Sequence, residues 1–310
     1  CRRLRRSTDG GTTWSEAVDL PEGCGGNAVV DEVAGDVLIV GGRGWQYRSG
    51  DSGVSWTREA MTLEPNALGH GRPDGVPIGA GASESGVTLH AGEHAGRLVM
   101  PVRLQPPHGN NDQEFWAYNY NTAIYSDDRG ASWRLSDPVQ SGTGEGTLAE
   151  LSDGRIYYNS RCHMAVDHRR RIAWSHDGGH RWTDWQVSEH LYEVGEPFYF
   201  KYGTKPSYGI NAGLARLPDA ATGGEDVLVF STPDNPGGER VKMTVWLSAD
   251  GARTWPAKRL VYEGPCAYSS LAAGEDGTIY LLFENGDTHR YERISLAQFE
   301  RGWLANGSTR

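Results

Sequence analysis

No apolar run in this chain of 310 residues is long enough to cross a bilayer as a helix. Basic residues are in deficit: 30 Lys and Arg stand against 40 Asp and Glu, a formal charge of −10. Nucleic-acid binding needs a cationic face that displaces counterions from phosphates, so composition argues against a polynucleotide partner. The two basic runs, Arg2 to Arg6 and His168 to Arg171, are short and read as solvated strand edges or loops. Cysteine is scarce as well. Cys1, Cys24, Cys162 and Cys266 lie far apart without the close pairs that hold zinc, and the spacing is compatible with one or two disulfides or with four free thiols. His163, His168 and His180 show no metal-ligand spacing and read as loop residues. Helical periodicity is rare, its clearest stretch running from Ile294 to Arg301, where a helix is expected.

What the chain does hold is glycine and aromatics, with 42 Gly, 11 Trp and 14 Tyr, a composition suited to many short strands joined by tight turns. A phrase of the form Ser-x-Asp-x-Gly-x-[Ser/Thr]-Trp returns five times: Ser7 to Trp14, Ser49 to Trp56, Ser126 to Trp133, Ser175 to Trp182 and Ser248 to Trp255. Arg181 replaces the hydroxyl residue in the fourth copy and Ala252 the second glycine in the fifth. Ser and Asp side chains can bond the backbone of their own bend, Gly supplies a positive φ, and Trp supplies a large apolar plug with an N–H that can reach a carbonyl. The Asp residues are therefore expected to shape turns rather than to bind calcium or sugar. Repetition at this scale predicts small antiparallel sheets stacked radially, a β-propeller, and the span of the copies favours a single domain over residues 1–310.

Strands are expected at Asp36 to Gly41, Arg97 to Val102, Thr122 to Ser126, Arg155 to Ser160, Arg171 to Ser175, Asp226 to Thr232, Val241 to Leu247 and Thr278 to Glu284. Asp153-Gly154 and Asp276-Gly277 fall between paired runs and mark hairpins. The stretches Gln105 to Tyr120 and Glu193 to Tyr208, rich in Pro, Gly, Asn and aromatics, read as long loops of the kind that carry binding groups. The chain begins at Cys1, and six residues before the first phrase are too few for the earlier strands of a four-stranded blade. The first blade is expected to be incomplete and the chain cut at its N-terminus.

The repeated phrase resembles the Asp box of sialidases, and three further segments are similar to that family's active-site stretches. They are Gly144-Glu145-Gly146-Thr147-Leu148-Ala149-Glu150-Leu151 running on to Asn159-Ser160-Arg161, then Val229-Phe230-Ser231-Thr232-Pro233 followed by Arg240, then Ala267-Tyr268-Ser269-Ser270-Leu271 followed by Leu281-Leu282-Phe283-Glu284. Their order agrees with the family over essentially the whole chain. The resemblance implies an all-β, six-bladed propeller of the sialidase type. It implies an exo-sialidase that releases terminal sialic acid with retention through a tyrosyl intermediate. In it Tyr268 would be the nucleophile, Glu145 its partner base, Arg161 and Arg240 two of three arginines on the substrate carboxylate, and Glu284 an acid that steadies the arginines. Sialylated glycans would be the partners, with no cofactor, no metal and a monomeric state, in a secreted or periplasmic setting.

Chemistry gives these residue types a reason. Sialic acid carries a carboxylate on its anomeric carbon, so a carboxylate nucleophile would approach against like charge, whereas a phenol does not; sialidases are an exception to the two-carboxylate rule of glycosidases. A phenol titrates near pH ~10 and attacks poorly when neutral, so an adjacent Glu must take its proton. A planar guanidinium binds a carboxylate through two parallel bonds and stays charged when buried. Glu150 reads as a strand-edge residue, Arg155 and Arg216 as solvated or ion-paired surface residues. Asp31, Asp51, Asp74 and Asp112 are carboxylates, but none occupies the position of the family's general acid. That Asp and the first arginine are expected upstream of the first box, so residues 1–310 alone are expected to be feebly active. The alternatives are a sialic-acid-binding propeller without turnover and a purely structural propeller.

Overall fold

Each box bends the chain because its own side chains hold the bend. In the second copy Ser49 Oγ accepts from the Gly53 N–H at 2.7 Å and donates to Asp51 Oδ1 at 2.8 Å, while Asp51 accepts the Ser55 N–H at 2.9 Å and its hydroxyl at 2.6 Å. The same bonds recur around Asp9, Asp128 and Asp250. Around Asp177, where Arg181 lacks a hydroxyl, the backbone bonds remain. Ala252 keeps the glycine's role at φ 67°, in the left-handed region that costs a side chain strain, and its N–H still reaches Ser248.

The computed structural model describes residues 3–41, 44–68, 84–104, 119–164, 167–195, 198–200, 203–205 and 209–306. β1 (Arg3–Leu4) and β2 (Val18–Asp19) pair across the first box. β3 (Asn27–Asp31), β4 (Asp36–Val40), β5 (Trp45–Ser49) and β6 (Thr57–Ala60) form an antiparallel sheet in chain order. The next sheet contains β7 (Thr62–Glu64), β8 (Val87–Thr88), β9 (Leu98–Leu104), β10 (Tyr120–Ser126), β11 (Ser132–Leu135) and β12 (Gln140–Ser141), with β8 to β11 in order and β7 parallel to β11. β13 (Thr143–Glu150), β14 (Ile156–Cys162), β15 (Arg169–Ser175) and β16 (Thr183–Tyr192) make a third. After a small hairpin, β17 (Phe198–Phe200) and β18 (Gly203–Lys205), the last sheet runs β19 (Gly213–Arg216), β20 (Leu228–Pro233), β21 (Val241–Ser248), β22 (Ala257–Ala273), β23 (Ile279–Asn285) and β24 (Arg293–Phe299). α1 (Asp219–Thr222) and α2 (Arg301–Ala305) are short.

The four large sheets stand in a propeller-like arrangement. Their first strands β3, β8, β13 and β19 touch in succession, and β19 touches β22. Boxes two to five each join the third strand of a sheet to its fourth, and the core lies in the seams between sheets. One seam packs Leu38 and Val40 against Met100, Ile124 and Trp133; the next packs Val99 and Tyr125 against Leu148, Tyr158 and Trp182. β10 and β14 are covered on both faces and buried at every position, and polar members such as Thr122, Asn159 and Arg161 are hydrogen-bonded within the fold. Two of the box tryptophans reach across these seams to side chains rather than to a local carbonyl: Trp133 Nε1 donates to Gln46 Oε1 at 2.8 Å and Trp182 Nε1 to Ser136 Oγ at 3.0 Å. Two others differ: Trp56 Nε1 is buried with no hydrogen-bond partner among the described residues, and Trp14 is 44% exposed and bonded to its own Gly11 carbonyl.

All eight expected strands are present within two residues of their bounds, and Gly154 and Gly277 turn the two expected hairpins at φ 83° and 82°. Two readings are corrected. Ile294 to Arg301 is not helical: Arg293–Phe299 is strand β24, paired to β23 over its whole length, and the helix begins only at Arg301. The ladder offered by β23 outweighs a weak apolar periodicity that fits strand and helix alike. The run His168 to Arg171 is not a solvated edge, because Arg170 is completely buried. Cys162 and Cys266 are buried free thiols, so two disulfides are excluded. Residues 105–118 of the first long loop lie outside the described residues, as do 196–197, 201–202 and 206–208 of the second and Asp74 and Asp112, while 198–200 and 203–205 of the second pair as the β17–β18 hairpin.

Candidate active site

The start of β13, the end of β14 and the middle of β22 meet at one end of the ring. Glu145 stands between two glycines that local packing requires: a Cβ on Gly144 would fall 2.0 Å from His163 Nε2, and one on Gly146 2.4 Å from Tyr158. Tyr268 lies where β22 shifts register against β23, between the Cys266–Asn285 and Ser269–Phe283 pairs. Such a bulge re-aims a side chain out of strict alternation.

Tyr268 and Glu145, 123 positions apart, are joined by a 2.6 Å bond from the phenol to Glu145 Oε1. Arg161 Nη1 donates to Tyr268 Oη at 2.9 Å and also to Glu145 Oε2, so one guanidinium holds both oxygens of the pair. Arg240 lies on the other flank, its guanidinium carbon 6.0 Å from the Tyr268 ring centroid, with Nη1 on Tyr291 Oη at 3.1 Å and Nη2 on the Gly209 carbonyl at 3.1 Å. Glu145, Arg161 and Arg240 are nearly inaccessible. Glu284 is also present, and its bond is to the Tyr268 backbone N–H at 3.0 Å rather than to either arginine. The structure thus gathers all five residues.

Burial pushes the Tyr268 phenol well above its usual range; Arg161 opposes the shift and Glu145 adds to it. Burial also pushes Glu145 upward, but the Arg161 charge, the Tyr268 hydroxyl and the Arg103 charge together outweigh it and leave the carboxyl below its usual value. The result is a neutral phenol bonded to a carboxylate. A shared proton of this kind can move from Oη to Oε1 as the oxygen attacks, without a diffusible base.

The described carboxylates and cations that the sequence also singled out are committed elsewhere. Glu150 accepts the His90 and Ala91 N–H groups, Asp31 pairs with Arg129, and Asp51 holds its box. Arg155 pairs with Asp153, and Arg216 with Asp219 and Asp226. His180 meets Tyr125, and His163 is buried behind Gly144. Among the described residues no group of three or more His, Cys, Asp or Glu could hold a metal ion.

Two residues behind the site escaped sequence reasoning. Arg170 Nη1 meets Glu193 Oε1 at 3.0 Å with no exposure on either side chain. Glu193 also accepts the N–H groups of Cys162 and Ile210, and Arg170 bonds the Ile210 carbonyl and Asn159. The signal was there: in a strand, Arg170 must point opposite to Arg169 and Arg171.

Residues 37–281 match the model of the BNR repeat-like domain, and the chain belongs to that family. The relatives it resembles are sialidases. A sialidase of Micromonospora viridifaciens is 30% identical, the match covering 94% of this chain and 46% of the relative. A sialidase of Bacteroides fragilis (strain YCH46) is 24% identical, covering 92% and 54%. The Hadza microbial sialidase Hz136 shares the fold at a TM-score of 0.70 and 22% identity, over 97% of this chain and 60% of that one. The chain spans about half the length of the curated relatives it matches.

Proposed function

We propose that this chain is the catalytic propeller of an exo-sialidase that releases terminal sialic acid from glycoconjugates with retention. The observation that carries the reading is the 2.6 Å bond between Tyr268 and Glu145 with Arg161 and Arg240 on its two flanks. Tyr268 Oη attacks the anomeric carbon while its proton passes to Glu145. The bond to the leaving sugar breaks, and a general acid other than Glu145 protonates that oxygen. Water then attacks the same carbon, giving its proton to the conjugate base of that acid, as the bond from the carbon to Tyr268 Oη breaks and Oη takes its proton back from Glu145, so two inversions give net retention. Arg161 and Arg240 hold the substrate carboxylate, and Glu284 fixes the backbone of the nucleophile.

The reading includes a ring of six blades. The β1–β2 pair would supply one, lying against β24 where Gln298 donates to the Gly10 carbonyl. The C-terminal half of β22 with β23 and β24 would supply another, beside the four sheets that carry boxes two to five.

Tyr268→Phe should remove most turnover of 4-methylumbelliferyl sialic acid. Unchanged turnover removes Tyr268 from the mechanism. Calorimetric binding of sialyllactose with no product over hours, in the unsubstituted protein, would make the chain a sialic-acid-binding propeller instead.

A further inference from the structure

We propose that Glu84 is a positioning residue of this site, a strut that sets the separation of the two strands carrying Tyr268 and Glu145. The inference rests on those two residues being the nucleophile and its base. β13 and β22 belong to different sheets and share no ladder. Glu84 precedes β8, in a third sheet, and bonds to both. Its backbone N–H donates to the Gly146 carbonyl at 3.0 Å, one residue beyond Glu145. Its Oε1 accepts the Ser270 hydroxyl at 2.7 Å, two residues beyond Tyr268, and the Ser85 N–H at 3.0 Å. Oε2 is buried with no hydrogen-bond partner among the described residues. A residue that bonds one strand through its backbone and the other through a carboxyl buried at a cost in desolvation holds the two at one distance, and catalysis falls steeply when reacting groups move by a fraction of an ångström.

The strut works as the neutral acid. Burial raises the Glu84 carboxyl to about 7, and the Ser270 and Ser85 bonds offset this only in part. The charges of the site it braces are Glu145 on β13, Arg161 on β14, Glu284 on β23 and Arg240, with Arg103 of β9 acting on Glu145 and Tyr268 on β22 as a further titratable group. At the far end Glu150 of β13, Asp31 of β3 and Arg216 of β19 are committed to their own partners. Ionising Glu84 adds a negative charge to the residue that bonds both Gly146 and Ser270, and so opposes an anionic substrate in the site those strands carry. Turnover should therefore fall as pH rises through about 7.

The test is kcat/KM for the fluorogenic sialoside from pH 5 to 9 in the wild type, Glu84→Gln, Glu84→Ala and Ser270→Ala. Glu84→Gln should lack the fall near pH 7. Ser270→Ala should move that fall to higher pH, since it removes a bond that favours the charged form. Glu84→Ala should lower kcat about tenfold with KM within about twofold, the signature of a misplaced pair. Wild-type and Glu84→Gln profiles that coincide overturn the proposal. Two readouts are independent of activity. Folded Glu84 keeps its proton above the pH at which the unfolded chain loses it, so it makes stability decline as pH rises from about 4.5 to 7. Glu84→Gln should show a flatter melting temperature across that window. A crystal structure of Glu84→Ala should show Tyr268 and Glu145 parted, and a retained 2.6 Å bond overturns the strut whether or not the protein turns over sialosides. Absent turnover in every form with the bond parted in Glu84→Ala instead removes the sialidase reading and keeps the strut.

Discussion

Arg170 and Glu193 form an ion pair that never meets solvent, and the backbone it braces is the backbone of the site. Glu193 holds Cys162, the neighbour of Arg161, and both partners hold Ile210, the neighbour of the Gly209 carbonyl to which Arg240 bonds. One pair thus sets the positions of two arginines that no sequence spacing links.

Breaking that pair should be costly. Glu193→Gln or Arg170→Met leaves a buried charge uncompensated, and urea unfolding should show a loss of about 3–5 kcal/mol. The double substitution Arg170→Met with Glu193→Leu should recover much of the stability. It should not recover turnover, because the Cys162 and Ile210 N–H groups lose their acceptor.

Glu145→Gln keeps the shape of the acceptor but cannot take the phenol's proton. Turnover of an activated sialoside should fall by about 10²–10⁴-fold. Affinity for sialic acid, measured by calorimetry, should change far less.

The box tryptophans should differ in worth according to burial. Trp133 is fully buried in a seam and bonded to the neighbouring sheet, so Trp133→Ala should cost about 3–5 kcal/mol. Trp14 is 44% exposed, and Trp14→Ala should cost well under half as much by the same unfolding measurement.

Acid should loosen the boxes. The Ser55 hydroxyl and N–H and the Ser49 hydroxyl lower the Asp51 carboxyl to about 2. A depressed folded value means that its stabilisation is present above the unfolded value near ~4 and is lost as pH falls toward 2. Asp51→Asn should melt below the wild type at pH 6, and the gap should close between pH 4 and 2.

Much of the fold is legible in the sequence because its instructions are local. Within a box, Ser and Asp find their partners inside five residues, so repetition of the phrase is repetition of the bend. The site is legible only through resemblance: Tyr268 and Glu145 meet across 123 positions, and no local pattern specifies that encounter. Arg170 was hidden because a basic run looks solvated when its alternation is ignored. Ile294 to Phe299 misled because an apolar residue at every second or third place suits a strand edge as well as a helix. Glu84 belongs to no motif, and its partners come from two other sheets.

β22 serves two ladders of the last sheet, pairing with β21 through its first half and with β23 through its second. Neither half can peel away without tugging the other, so the sheet carrying the fifth box and the unit carrying the phenol are bound to melt as one cooperative block. Tyr268 sits at the crossover, which makes the orientation of its phenol a property of that join. Shortening the strand by a single residue there would swing the ring to the opposite face while leaving both flanking ladders free to re-form.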